Sequence, residues 1–201
     1  MAIATILLAA GASSRLGGPA KQLFQIGSES LVRHMARLAL ALAAGPVVVV
    51  VGARRADIEA ELTDLPVQVV ANPTWADGMA SSLQAGLRAL DAETTDSFLV
   101  LLTDQPYVGL PLLRQLIDTQ RQTGRGIVAS RYAEPGGHLG VPALFDRHYR
   151  AEFLRLTGDV GARKLIRQYE ADCAEVLFPL AAIDLDTPDD VRRWQARQHQ
   201  Q

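Results

Sequence analysis

The chain has 201 residues, 48% of them hydrophobic and 21% charged, with a formal net charge of −2. That length fits one domain with a substantial core, and the near-neutral balance excludes the clustered basic surface on which duplex nucleic-acid binding rests. A single cysteine, Cys173, and four scattered histidines exclude an internal disulfide and a closely spaced zinc site.

Ile3–Ala9 reads as a buried strand. The opening residues resemble a secretory signal in their apolar run, but no Lys or Arg precedes it. No apolar run approaches the roughly 18 residues of a membrane span, so no membrane partner is expected. The cysteine usage fits a cytoplasmic location.

Short apolar runs then alternate with segments of helical period. In order, the pattern predicts a helix over Glu29–Ala43, a strand over Pro46–Val51, a helix over Arg55–Leu62 and a strand over Val67–Ala71. A helix over Met79–Leu90, a strand over Ser97–Thr103, a helix over Leu110–Thr123 and a strand over Gly126–Ser130 follow. Fully apolar runs such as residues 47–51 and 98–102 suit strands covered on both faces. The fold class is therefore α/β, a three-layer Rossmann-like arrangement with a mostly parallel central sheet flanked by helices.

Beyond residue 130 the rhythm changes. Arg131–Pro142 is rich in Gly and reads as a loop, with a short strand over Pro142–Phe145. A helix over Asp159–Tyr169, short strands over Ala174–Phe178 and Ala181–Leu185, and a last helix over Pro188–Arg197 complete the chain. Thr187 is the expected N-cap of that last helix and Pro188 its first residue.

Chemistry concentrates first in residues 7–23. Gly11, Gly17, Gly18 and Lys21 fit neither the P-loop nor the G-x-G-x-x-G spacing. Yet they follow the first strand, where open α/β sheets bind ligands. Leu8, Ala9, Ala10 and Gly11 bring the backbone to a phosphate, Ser13 and Ser14 add hydroxyls, Arg15 a guanidinium fork and Lys21 a point charge. Lys21 and Lys164 are the only lysines among 20 basic residues, which suits a position needing a compact ammonium.

Asp104 closes the strand ending in Thr103 and precedes Gln105-Pro106. A carboxylate there can hold a divalent cation; its alternative role is a turn or cap before the helix at Leu110. Asp184 and Asp186 alternate along a strand end, so one of them faces the ligand crevice. Asp189 and Asp190 suit the start of the last helix. Gly78, Ser81 and Ser82 open another helix and offer an anion or nucleotide site, or else plain capping.

The loop L-A-A-G-x-S-S-R-x-G-x-x-x-K resembles that of the GT-A-like nucleotidyltransferases. Gly78-Met79-x-x-Ser82-Leu83, Thr103-Asp104-Gln105-Pro106, residues 140–145, Gly158-Asp159-x-Gly161-Ala162-Arg163-Lys164-Leu165 and Asp184-x-Asp186-Thr187-Pro188 follow in order. Together they resemble the molybdenum cofactor cytidylyltransferase group over essentially the whole chain. The resemblance implies transfer of CMP from CTP to the phosphate of molybdenum-bound molybdopterin, with Mg²⁺ held by Asp104 and Asp186, Asp184 being the fallback. It implies catalytic roles for Arg15, Lys21 and Asp104, and acceptor binding by His138, Arg163 and Lys164. One domain over residues 1–201 is expected, nucleotide-binding over 1–130 and acceptor-binding and metal-closing over 131–201. An acceptor molybdoenzyme or its chaperone is the implied protein partner. Guanylyl-transferring relatives tend to read L-A-G-G where this chain has Leu8-Ala9-Ala10-Gly11, and members often read Gly-His-Pro where it has Gly140-Val141-Pro142. Alternatives are a cytidylyl- or guanylyltransferase for another phosphorylated acceptor and a non-catalytic nucleotide-binding cofactor chaperone; the missing G-x-G-x-x-G ranks a nicotinamide-dependent oxidoreductase below these.

Overall fold

The structure, a computed structural model, describes residues 2–12, 20–132, 137–179, 190 and 194. Strand β1 (Ile3–Ala9) is buried along its whole length. A single helical turn at Lys21–Leu23 leads into a hairpin of β2 (Gln25–Ile26) and β3 (Glu29–Ser30), and α1 (Leu31–Leu42) follows. Next come β4 (Val47–Val51), α2 (Arg55–Leu62), β5 (Gln68–Ala71), α3 (Met79–Ala89), β6 (Ser97–Leu102) and α4 (Leu110–Thr123). Then β7 (Ile127–Arg131), β8 (Leu139–Asp146), α5 (Arg150–Leu154), α6 (Ala162–Gln168) and β9 (Cys173–Leu177) complete the described elements.

Seven strands form one sheet in the order β5-β4-β1-β6-β8-β7-β9. All neighbours pair in parallel except β8, which runs antiparallel to both β6 and β7. The alternation of side chains along a strand explains the two cores. Ile3, Leu7, Val47, Val49 and Val51 join one apolar layer with α1, α2 and α4. Ala4, Ile6, Leu8, Val48 and Val50 join the other, with α3, α5 and α6. A run of five valines is thus divided between two faces, both dry. In the second layer Phe98, Phe145 and Phe153 pack with ring centroids 4.8–5.6 Å apart. Such edge and offset contacts add about 0.5–1.5 kcal/mol per pair beyond their burial.

The α/β sandwich expected from the sequence is present. Its boundaries differ by more than one residue in three places. Glu29 and Ser30 belong to the hairpin, and α1 starts two residues later because Ser30 caps it, its hydroxyl accepting from the Arg33 amide at 3.4 Å. The stretch Arg131–Pro142, expected as a loop, is strand at both ends: β7 runs to Arg131 and β8 starts at Leu139. The ladder to β7, which pairs Ser130 with Gly140 and Arg131 with Leu139, overrides the low strand propensity of its glycine and proline. The helix expected over Asp159–Tyr169 is shorter, starting at Ala162 after an extended Gly161. The strand at Ala181–Leu185, the last helix at Pro188–Arg197 and the Thr187 cap lie outside the described residues, which there include only Asp190 and Trp194.

Candidate active site

The carboxyl ends of β1, β4 and β6 meet at one rim of the sheet, where the chain must leave its ladder and cannot be covered by helices. A cleft of about 460 Å³ opens there, lined by Leu8, Ala10, Gly11, Ala12, Lys21, Gln22, Trp75–Met79, Ser82, Leu102–Asp104 and Asp159.

Its floor is held by buried polar side chains. Gln22 is 1% exposed. Its amide donates to the carbonyls of Ala9 and Gly11, at 3.3 and 2.8 Å, pinning the chain as it leaves β1. Thr103 donates to the Leu8 carbonyl at 3.3 Å and ties the end of β6 to β1. A Cβ on Gly11 would meet nothing within 4 Å. No described neighbour therefore requires glycine there, and Gly11 lines the cleft.

Lys21 Nζ lies 2.5 Å from Asp104 Oδ2, with the two side chains 16% and 15% exposed. Asp104 Oδ1 is buried and has no hydrogen-bond partner among the described residues. An orphaned carboxylate oxygen costs folding free energy unless something fills its place, and its chemistry is that of a ligand for a hard cation. Among the described residues no group of three or more Asp, Glu, His or Cys side chains is placed to hold a metal. Asp184, Asp186, Arg15, Ser13 and Ser14 lie outside the described residues.

The far wall is built by close approaches. A Cβ on Gly52 would sit 2.6 Å from the Ala10 carbonyl and 2.7 Å from Trp75 Cβ, so this glycine lets Trp75 settle at the cleft. Asn72, 3% exposed, is the hub behind it. Asn72 donates to the hydroxyls of Ser81 and Ser82 at 2.8 and 3.0 Å and accepts from the Thr74 amide at 3.0 Å. Ser82 lines the cleft, whereas Ser81 does not and instead donates to backbone carbonyls of Thr74 and Gly78. Gly78 has φ +108° and its missing Cβ would lie 2.5 Å from the Gly158 backbone. The Gly158 carbonyl accepts from the Ala80 amide at 3.2 Å, and the Ser81 amide turns to Gly78. The Ala80 and Ser81 amides at the start of α3 are thus taken by backbone carbonyls, while Gly78 and Ser82 line the cleft.

Beside the cleft lies a smaller pocket of about 290 Å³, mostly apolar, which shares Leu8, Met79 and Leu102 with it. Tyr132 and His138, with ring centroids 4.7 Å apart, stand at its other end with Arg163. A groove of about 310 Å³ continues from His138 and Arg163 to Arg131, Arg167 and Glu170. His138 and Arg163 therefore come together as the sequence suggested. Lys164 is exposed and lines none of these three cavities. A helical step of one residue turns it away from the groove that Arg163 and Arg167, four apart, share. Ala9 is buried in the core, and Leu8 and Ala10 reach the cleft.

Sequence reasoning missed Gln22, Asn72, Gln105 and Arg167. Gln105 donates to Tyr132 Oη at 2.9 Å and to the Val141 carbonyl at 3.1 Å, and Tyr132 donates to the same carbonyl at 2.6 Å. The residue after Asp104 thereby braces the wall of the second pocket. The signal available for Arg167 was its spacing of four from Arg163; the others look like ordinary surface amides until the fold buries them.

Known proteins agree with this geometry. A protein named nicotine blue oxidoreductase, from Paenarthrobacter nicotinovorans, is 32% identical over 195 residues, 94% of each chain. The Rv0371c protein of Mycobacterium tuberculosis H37Rv superposes with a TM-score of 0.80 at 27% identity, over 96% of both chains. The same protein in complex with manganese gives 0.78 at 26% identity, over 96% of this chain and 97% of that one. Molybdopterin-guanine dinucleotide biosynthesis protein A from Archaeoglobus fulgidus shares the fold, with a TM-score of 0.70 at 16% identity over 98% and 100% of the chains. Residues 5–173 match the MobA-like NTP transferase domain, and the chain belongs to that family of nucleotidyltransferases.

Proposed function

We propose that the chain transfers CMP from CTP to the phosphate of molybdenum-bound molybdopterin and releases pyrophosphate. Asp104 carries the reading: just past the end of β6 one of its oxygens is held by Lys21 and the other is buried with no partner among the described residues, in the wall of a cleft of nucleotide size.

The donor set fits Mg²⁺, since a buried carboxylate oxygen left open suits a hard cation. Asp104 would hold it, together with Asp186 or Asp184. When bound, the ion supplies charge neutralisation at the α-phosphate. The remaining work is positioning. An oxygen of the acceptor phosphate forms a bond to the α-phosphorus. The bond from that phosphorus to the bridging oxygen breaks, and its electron pair leaves with pyrophosphate. No protein base is required, because the acceptor oxygen is already anionic. Lys21 and Arg15 balance the charge on the leaving group, Gly11 admits the triphosphate to the backbone, and Ser82 and Trp75 border the nucleoside. His138 and Arg163 receive the acceptor. Ala10 in place of the first glycine of L-A-G-G supports cytidine. The product would pass to an acceptor molybdoenzyme or its chaperone.

A second reading follows from the relative named nicotine blue oxidoreductase. On it, the same rim would hold a redox nucleotide and the apolar pocket the compound reduced. One experiment separates the two. Calorimetry with CTP, GTP, NADH and NADPH, with Mg²⁺ present, is run beside a pyrophosphate-release assay with and without molybdenum-bound molybdopterin. CTP binding with acceptor-dependent pyrophosphate is the expected result. Binding of NADH or NADPH alone would move the chain to the second reading.

A further inference from the structure

The cleft and the apolar pocket beside it have Leu8, Met79 and Leu102 in common. Leu8 is 7% exposed and sits at the end of a central strand. Leu102 likewise ends β6. These two form the floor and cannot move without the sheet. Met79 differs: it is 38% exposed, the first residue of α3, and carries a long unbranched side chain.

The opposite wall is shaped around that side chain. The Met79 sulfur occupies the place where a Cβ on Gly161 would stand, and the three atoms nearest that place all belong to Met79. Gly161 is extended, with φ −105° and ψ −173°, so any residue could adopt its backbone. Its small size is therefore a matter of room for the thioether, not of chain geometry. A few residues earlier, Gly78 packs on the Gly158 backbone and fixes where α3 begins. The root of Met79 is thus fixed while its end remains adaptable.

We propose that Met79 is the partition between a donor cleft and an acceptor pocket, and that it sets the width of acceptor the pocket takes. The pocket's aliphatic lining, with the Tyr132 and His138 rings at its far end, suits a flat, fused-ring body bearing a phosphate rather than a polyol phosphate. The assignment of donor and acceptor rests on the nucleotidyl-transfer reading. The partition itself rests on the two cavities.

The test uses the full chain and two aryl phosphates that differ by one fused ring, phenyl phosphate and naphthyl phosphate, with binding measured by calorimetry. Met79→Ala removes the wall, and the ratio of naphthyl to phenyl affinity is expected to rise about tenfold, the order of discrimination a small change in an apolar pocket supplies. Gly161→Ala adds a methyl and displaces the thioether into the passage, and the ratio is expected to fall by a similar factor. Thermal unfolding of each variant confirms that it is folded; because the two substitutions act on different elements, either alone suffices to read the ratio. The same ratio in all three chains overturns the proposal, as does the absence of binding by both phosphates. CTP binding by the parent chain is measured in parallel. A shifted ratio without CTP binding removes the nucleotidyl-transfer reading and keeps the partition; CTP binding with an unshifted ratio does the reverse.

Discussion

Asp104 and Lys21 form an ion pair at the rim, and both side chains are mostly buried. Asp104→Asn keeps the volume and removes the anion. Pyrophosphate release is expected to fall by about 10²–10³-fold, the scale of losing one fixed electrostatic contact in a transition state, with unfolding temperature little changed. Near-parental turnover in that variant would remove Asp104 from the chemistry. Lys21→Met is expected to raise the Kd for CTP and lower turnover together, read by calorimetry and the release assay. A surface ion pair adds a share to the acid behaviour. Arg33 donates to both oxygens of Asp64, at 2.6 and 2.7 Å, and those hydrogen bonds pull its pKa down from 3.8 to about 2. A carboxylate depressed in the folded state contributes stability that is present above its unfolded pKa and lost as pH falls through the folded one. Stability should therefore decline between pH 3.8 and about 2, and Asp64→Asn should flatten that part of the profile, followed by urea midpoints across the range.

At the scale of elements, the first turn of α3 is the sensitive joint. Gly78→Ala asks for φ +108° and puts a methyl 2.5 Å from the Gly158 backbone, which cannot move as a side chain end would. A loss of about 2–4 kcal/mol is expected, visible as a fall in Tm by circular dichroism, with weakened CTP binding because Met79 and Ser82 leave their places. The alternation of apolar runs and helical periods carries most of the elements, because strands buried on two faces and helices with one apolar stripe leave clear patterns. Lys21, Asp104, His138 and Arg163 stood out as residue types in motifs. Gln22, Asn72 and Gln105 did not, since their importance is positional: each is a common amide until three or more chain segments close around it. The start of β8 was hidden for a similar reason, its strand character coming from the pairing with β7 and not from Gly140 or Pro142.

For the whole molecule, the two apolar layers share one sheet, and neither can be lost without stripping the other side of its strands. Trp194, 1% exposed, reports on one layer and Trp75 on the other. Single-tryptophan versions, Trp75→Phe and Trp194→Phe, should unfold with the same midpoint as the far-ultraviolet signal; separate midpoints would divide the chain into independent units. None of the described helices is long and apolar enough to cross a membrane. The reversed direction of β8 has a consequence for how such a protein changes over time. Running against its neighbours, it begins where they end, so Leu139–Val141 arrive at the rim near Asp104. Lengthening, shortening or rewriting that approach alters what meets the nucleotide and leaves the register of the sheet untouched. The fold thus works like a lathe with a fixed headstock and an exchangeable chuck, and relatives can drift toward new compounds through one short stretch of chain.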